Sequence, residues 1–328
     1  MATYVGVNHD LRRNNGRTIY MPAWFQGETG WGNLAMPNVY KADSSRLYPA
    51  GTKYQDGERI FYYGKFIGTV TGTEWIVALQ APNSTGLTLE QGKFLNTHCF
   101  QEDMSDALHV RHTADELSLV LNTTPSVMQA DNYWSGGWVN GKDTGASNRP
   151  FYRYITKHDY FSTGSTTQQI WNVANEAYTE VDLSAYSNVS VLELDQAIIT
   201  SKTTLPIMVM PNPWKHLIHK VHSEANQFAP FMGAVVPNVV PQNYFPWLQT
   251  WGPMGIPHGL AEFGGALTGE IMHKIGGDGS LSPAHSGAPV PADGSTWQVA
   301  GHSMGSSIME TASGVDQDLV MVYLMIRR

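Results

Sequence analysis

"DGERIFYYGKF", residues 56–66, decides the fold class. Asp56-Gly57 is a tight-turn dipeptide, and the run behind it is dense in the β-branched and aromatic side chains that favour a pleated strand. The same grammar continues in both directions: short apolar alternations broken by turn residues, with 32 Gly and 18 Pro in 328 residues. Strands, not helices, are the expectation. Further strands are predicted at "TEWIVALQA" (73–81), "ALHVRH" (107–112), "RPFYRYITKH" (149–158), "SVLELDQAIIT" (190–200), "LPIMVM" (205–210) and "STWQVAG" (295–301). The last run, "DLVMVYLMIRR" (318–328), is almost continuously apolar, which predicts a strand buried on both faces.

Helical signals are few. "QQIWNVANEAY" (168–178) sets Ile170, Val173, Ala174 and Ala177 on one helical face and predicts a short helix. In "TADELSLVL" (113–121), Thr113 and Glu116 fit a capping box, but Leu117, Leu119 and Leu121 alternate, and strand is the preferred reading. The expected class is all-β, rich in barrel or sandwich elements, with at most one or two short helices. Residues 1–44 have weak periodicity and are expected to form an extended N-terminal arm reaching a neighbour. Residues 45–204 then form a β-rich domain with loop insertions, and 205–328 a C-terminal β domain. Polar, Gly-rich stretches at 140–149 and 276–295 are expected as loops.

Composition narrows the function. Charged residues make up 15% of the chain, against roughly 25% in an average soluble domain. Aromatics reach 11%, so part of the surface is expected to be covered by other molecules. The formal charge of −8, with no long basic run, argues against direct nucleic-acid binding. The single Cys99 excludes an intramolecular disulfide framework. No apolar run approaches the roughly 18 residues of a membrane span, and the first residues carry no apolar leader. A soluble chain with no membrane partner is the expectation, and the sequons at Asn83, Asn122 and Asn188 then carry little meaning.

Three motifs invite catalytic or metal readings. Gly301-His302-Ser303-Met304-Gly305 matches G-x-S-x-G, the turn that carries a serine nucleophile in α/β-hydrolases. In that fold the acid and histidine follow the serine, yet His302 is the last histidine and only 25 residues come after Ser303. His216, His219 and His222 are three apart, as are His109 and His112, but no carboxylate or cysteine cluster accompanies them. Glu193 and Asp195 in "LELDQA" would share a strand face roughly 6–7 Å apart, within reach of glycoside chemistry. Position 198 is Ile where the E-x-D-x-x-E strand of a β-sandwich glycosidase family places its second glutamate. No catalytic set, metal site or cofactor is therefore expected.

The aromatic clusters remain. "NYWSGGWVNG" holds Tyr133, Trp134 and Trp138, and "QNYFPWLQTWGP" holds Tyr244, Phe245, Trp247 and Trp251. Such residues fill a core, or offer flat contact surface to a protein or a sugar ring.

"MPNPWKHLIHKV" (210–221), "GAVVPNVVPQNYFPWLQTWGP" (233–253), "WQVAGHSM" (297–304) and "QDLVMVYLMIRR" (317–328) resemble the C-terminal signature of a family of structural proteins of environmental tailed bacteriophages. "YPAGTKYQDGERIFYYGKF" (48–66) is similar to that family's opening hairpin, and "LTLEQGKFL" (87–95) and "QADNYWSGGWVNG" (129–141) to its middle segments. The resemblance runs from about residue 46 to 328 and leaves the N-terminal arm aside. Where the family carries Trp or Val after "YF", this chain has Pro246, so a bulged or edge strand is expected there. The resemblance implies a virion protein associated with the head, as a decoration, cement or shell subunit whose partners are copies of itself and capsid proteins. The alternative is a carbohydrate-binding module of a fibre or tail, with Trp134 and Trp138 as stacking platforms.

Overall fold

A computed structural model of the chain describes residues 11–14, 16–20, 36–71, 88–90, 94–97, 102–104, 109–111, 117–122, 133–142, 150–161, 167–173, 175–184, 188–197, 207–221, 231–257, 272–275, 281–283, 299–304 and 319–326. The expected strand at 73–81 lies outside these residues. Every regular element among the described residues is a strand, so the chain is all-β. None of the described residues forms a helix long and apolar enough to cross a membrane.

The first strands in chain order are β1 (Leu11–Asn14), β2 (Arg17–Tyr20), β3 (Lys53–Asp56), β4 (Arg59–Tyr63), β5 (Phe66–Thr71), β6 (Thr88–Glu90) and β7 (Phe94–Thr97). The middle of the chain supplies β8 (Glu102–Met104), β9 (His109–Arg111), β10 (Ser118–Asn122), β11 (Trp138–Lys142), β12 (Pro150–Phe161), β13 (Thr167–Asn172), β14 (Ala177–Asp182), β15 (Val189–Leu194) and β16 (Ile207–Met210). The remainder are β17 (Leu217–Val221), β18 (Phe231–Val235), β19 (Val239–Pro241), β20 (Trp247–Pro257), β21 (Met272–Ile275), β22 (Leu281–Pro283), β23 (Val299–Ser303) and β24 (Leu319–Met325).

Two compact units result, and they are not consecutive in sequence. The described strands of one lie within Cys99–Asn212, while His9–Pro22, Gly30–His98 and Pro213–Arg328 make the other. Residues 45–98, expected with the first β domain, join the C-terminal half because β4 pairs along β20, from Trp247↔Tyr63 to Trp251↔Ile60. The expected arm is also part of this unit where it is described. β2 pairs with β3, and Ile19 is 1% exposed in the core. Asp43 and Phe245 exchange backbone hydrogen bonds (3.1 and 2.9 Å). These segments pair with their own chain because their apolar side chains find a sheet to complete.

The unit containing both ends of the described chain is built on a branched 13-stranded sheet running β1-β2-β3-β4-β20-β18-β7-β17-β5, with β24, β23, β21 and β22 attached through β20. The tight turn falls one residue later than Asp56-Gly57 suggested. Asp56 pairs with Arg59, so the loop is Gly57-Glu58, and Gly57 takes the positive φ (60°) wanted at the first position of a two-residue hairpin. Ile19, Tyr54, Phe61, Tyr63, Trp247 and Leu324 belong to one core. A second core, with Phe66, Trp214, Leu217, Val235 and Leu248, lies on the opposite face of β18 and the start of β20. The sheet is thus covered twice at its centre.

β24 departs from expectation. Its side chains alternate, with Val322 and Leu324 buried while Met321 and Met325 are 40% and 36% exposed, so only one face enters the core. The expected loop at 276–295 contains β22, which pairs with β21. Pro246 is neither in a strand nor at a bulge. It ends just before β20, where no ladder donor is needed, and its carbonyl accepts from Gly64 N–H (3.2 Å).

The other unit is a seven-stranded antiparallel sheet, β8-β16-β11-β12-β15-β10-β9. The twelve-residue β12 joins its halves: residues 150–154 pair with β11 and the rest with β15, across an irregularity between Ile155 and Lys157. Val139 and Val209 from one half share a core with Leu119, Leu121, Leu192 and Leu194 from the other, so the halves close on each other as in a sandwich with a bent corner strand. The expected helix at 168–178 is instead the hairpin β13–β14. Thr, Gln, Ile, Trp and Tyr pair across it, and the turn is fixed by Asn175 N–H donating to Asn172 Oδ1 (3.1 Å) and by Glu176 at positive φ. Ile170 and Val181 pack with Val120, Val189 and Val191, covering part of the sheet's second face. The ambiguous 113–121 segment carries strand β10, as preferred.

Candidate interaction surfaces

Cross-strand register, not sequence proximity, sorts the six candidate aromatics. Trp247 is 1% exposed, ringed by Tyr48 (5.3 Å), Tyr54 (5.8 Å) and Tyr63 (5.0 Å). It is core. Trp134 is fully buried, edge-on to Tyr133 at 4.9 Å, so it cannot be a stacking platform for a sugar. Tyr244 and Phe245 are half-buried at the core margins. Phe245 stacks on Tyr63 (5.9 Å) beneath Lys65 Nζ (6.0 Å).

Trp138 and Trp251 face outward, each among aromatic or methionine neighbours from the adjoining strand. Trp251 lies opposite Met325, Pro253 opposite Tyr323, and Gly255 opposite Met321, so these six residues share the outer face of β20–β24. Trp251 and Tyr323 meet edge to face at 5.8 Å. His302 of β23 is paired with Tyr323 and extends the same face.

Trp138 pairs with Tyr154 on one side and Met210 on the other. Ring centroids lie 5.9 Å apart to Tyr154 and 6.5 Å to Tyr152, which is 54% exposed. Asn140, exposed, lies directly opposite Tyr152. Tyr152, Tyr154, Met321, Tyr323 and Met325 were not singled out in the sequence; only register places them beside the two tryptophans.

The motifs with catalytic readings become structural. Gly301–Ser303 is the end of a strand, with no strand-to-helix elbow across Gly301–Met304. A side chain at Gly301 would sit on the Tyr323 carbonyl oxygen, so this glycine serves close strand approach. His302 and Ser303 are successive strand residues and point to opposite faces. Glu193 is exposed, with Lys157 Nζ 3.7 Å away. Asp195 Oδ1 accepts from Tyr154 N–H (2.9 Å), and burial pushes its carboxyl above the usual carboxylate range. His219 lies in β17 with His216 just before it; His222 is outside the described residues. Among the described residues no three His, Cys, Asp or Glu side chains gather to hold a metal ion.

One histidine–serine pair escaped the sequence reading. His158 and Ser190 are both fully buried, with His158 Nε2 2.9 Å from Ser190 Oγ. Trp134 N–H donates to His158 Nδ1 (3.4 Å), which leaves Nε2 as the protonated nitrogen and Ser190 Oγ as acceptor. A serine that receives this proton is not being activated, and the pair works as a core hydrogen bond.

Comparison with protein-family models, curated proteins and solved structures returned no match.

Proposed function

We propose that the chain is a structural subunit of a tailed-phage particle, associated with the head as decoration, cement or shell, and held by covering sheet faces against copies of itself and capsid proteins. The outer face of β20–β24 carries this reading. There Trp251, Met321, Tyr323 and Met325 stand on two paired strands whose other side is a finished core. Methionine and aromatic side chains on a rigid sheet suit a protein contact, with flat area on the rings and adaptable thioethers beside them. The sequence resemblance to phage structural proteins over residues 46–328 supports the same assignment, as does the low charge content.

The test is purification of DNA-filled heads after removal of tails. Stoichiometric recovery of the chain with the heads supports the assignment, and Met321→Glu, a charge placed on an exposed position, should lower its occupancy. Absence from heads and from every other particle fraction would end it.

A further inference from the structure

In the Cys99–Asn212 unit a buried titratable side chain stands in for backbone. The turn at residues 134–137 seats against β12 beside its irregularity between Ile155 and Lys157. Gly136 N–H donates to the Ile155 carbonyl (2.7 Å), and Ile155 N–H to the Gly137 carbonyl (3.0 Å). The third bond of this clasp has a side chain as its acceptor: Trp134 N–H donates to His158 Nδ1 (3.4 Å). Trp134 and His158 are both fully buried, and the other ring nitrogen, Nε2, donates to Ser190 Oγ on β15 (2.9 Å). The imidazole thus ties the turn before β11 to both β12 and β15.

Only the neutral ring makes this pair of bonds. A proton on Nδ1 turns the acceptor into a donor aimed at another donor, and the Trp134 N–H loses its partner inside the core. The surroundings do not favour a cation either. On the core side of β12, Tyr160 Oη is bonded to Asn188 Oδ1 (2.8 Å) and Arg153 to the Ala197 carbonyl (3.3 and 3.4 Å). From β15, β10 and β11 the facing residues are Ser190, Leu192, Leu194, Leu119, Leu121 and Val139, none of them charged. Tyr133 packs edge-on to Trp134. By register, His109 of β9 stands opposite Leu121, and Glu102 of β8 lines up with Arg153 through Val209 and Val139. Asp195, just past β15, is held by Tyr154 N–H (2.9 Å). Lys142, Lys157, Asp159 and Glu193 belong to the opposite face of the sheet.

We propose that His158 is a proton-operated latch: its neutral imidazole holds the 134–137 turn in the core, and proton uptake on acidification releases that turn from β12. This goes beyond the structural role proposed above and does not depend on it. The sign follows from the bonds. The closed clasp holds only the unprotonated ring, whereas an imidazole in the released chain binds a proton near pH 6.5, at about the ordinary histidine value. The open state therefore binds more protons below that pH. The latch is at full strength above it and weakens as pH falls, by up to about tenfold in the opening equilibrium per pH unit.

Hydrogen exchange of the full chain, read by mass spectrometry on peptides spanning 133–137 and corrected for the intrinsic pH dependence of exchange, measures that equilibrium. Protection should fall about tenfold between about pH 7.5 and about pH 5.5. In His158→Asn, whose Oδ1 replaces Nδ1 as an acceptor and takes up no proton, the decline should vanish. Ser190→Ala keeps the ring and its Nδ1 acceptor and should retain the decline, which keeps the test decisive even where His158→Asn does not fold. Equal protection of 133–137 at the two pH values in the parent, a decline of the same size in His158→Asn, or its loss in Ser190→Ala would overturn the proposal. Recovery with phage heads is read separately, so failure of one proposal leaves the other standing.

Discussion

Trp247 and Trp251 are four residues apart on one strand, an even spacing that should place both on the same face. They do not share one. Register shifts between Gln249 and Trp251 against β4, and the buried Gln249 side chain donates to the Trp251 (3.1 Å) and Pro253 (2.9 Å) carbonyls across the irregularity. The extra residue inverts the alternation, so Trp247 joins the core with Met254 and Ile256 while Trp251 turns outward. Trp247→Ala should therefore cost about 3–5 kcal/mol in denaturant unfolding of the isolated chain, from lost contact and a cavity. Trp251→Ala should cost about 1 kcal/mol there, and its larger effect should fall on association.

Asp43 is the other residue with a measurable signature. Its carboxylate accepts from Tyr63 Oη (3.0 Å), while burial raises its pKa above the ordinary 3.8. A folded-state pKa above the unfolded one means this group's stabilising contribution is full below the unfolded value and is lost as pH rises through the folded value. Thermal unfolding of Asp43→Asn and the parent should accordingly diverge as pH rises above about 3.9, the ordinary aspartate value, the variant gaining relative stability as pH increases. Tyr63→Phe should cost about 1–3 kcal/mol at neutral pH, because the buried side of the carboxylate loses its donor. An unchanged difference between Asp43→Asn and the parent across that range would contradict the assignment.

At the level of elements, Gly301 fixes how closely β23 approaches β24. A methyl group there meets the Tyr323 backbone carbonyl, which cannot rotate away as a side-chain tip could. Gly301→Ala should destabilise by about 2–3 kcal/mol, whereas Ser303→Ala should cost less than about 1.5 kcal/mol and alter no hydrolytic rate. Chemical denaturation and an ester-substrate panel measure the two effects.

Strand identity was legible where local chemistry and pattern agree. The aromatic run after Gly57 needed no tertiary information, and at 117–121 the leucine alternation outweighed the capping-box signal of Thr113 and Glu116. The 168–178 segment was not, since Ile170, Val173, Ala174 and Ala177 satisfy a helical spacing by coincidence while Gln168, Ile170 and Trp171 pair across a hairpin. Burial of β24 was misjudged because an apolar run reads the same whether its second face meets the core or another molecule. The candidate aromatics were visible in composition, but an irregularity in register at Gln249–Trp251 decides that Trp251 faces outward while Trp247 is core. No local pattern encodes it.

On the scale of the molecule, two all-β units each expose an aromatic face that the sequence alone scatters over distant segments. The β20–β24 face is lined by Trp251, Met321, Tyr323 and Met325, and the β11–β12 face by Trp138, Tyr152 and Tyr154 with Met210 and Asn140 beside them. Specific association of proteins requires roughly 800 Å² per partner, and apolar area returns about 25 cal/mol per Å² before ordering costs are subtracted. One strand pair is the centre of such a contact, not its whole extent, so charge at its middle should be felt strongly. Sedimentation velocity of the purified chain over rising concentration tests this most directly. Reversible association that Met321→Glu suppresses without changing the unfolding midpoint is the expected result; a parent chain that sediments as a monomer throughout, or a variant that associates equally well, would contradict it.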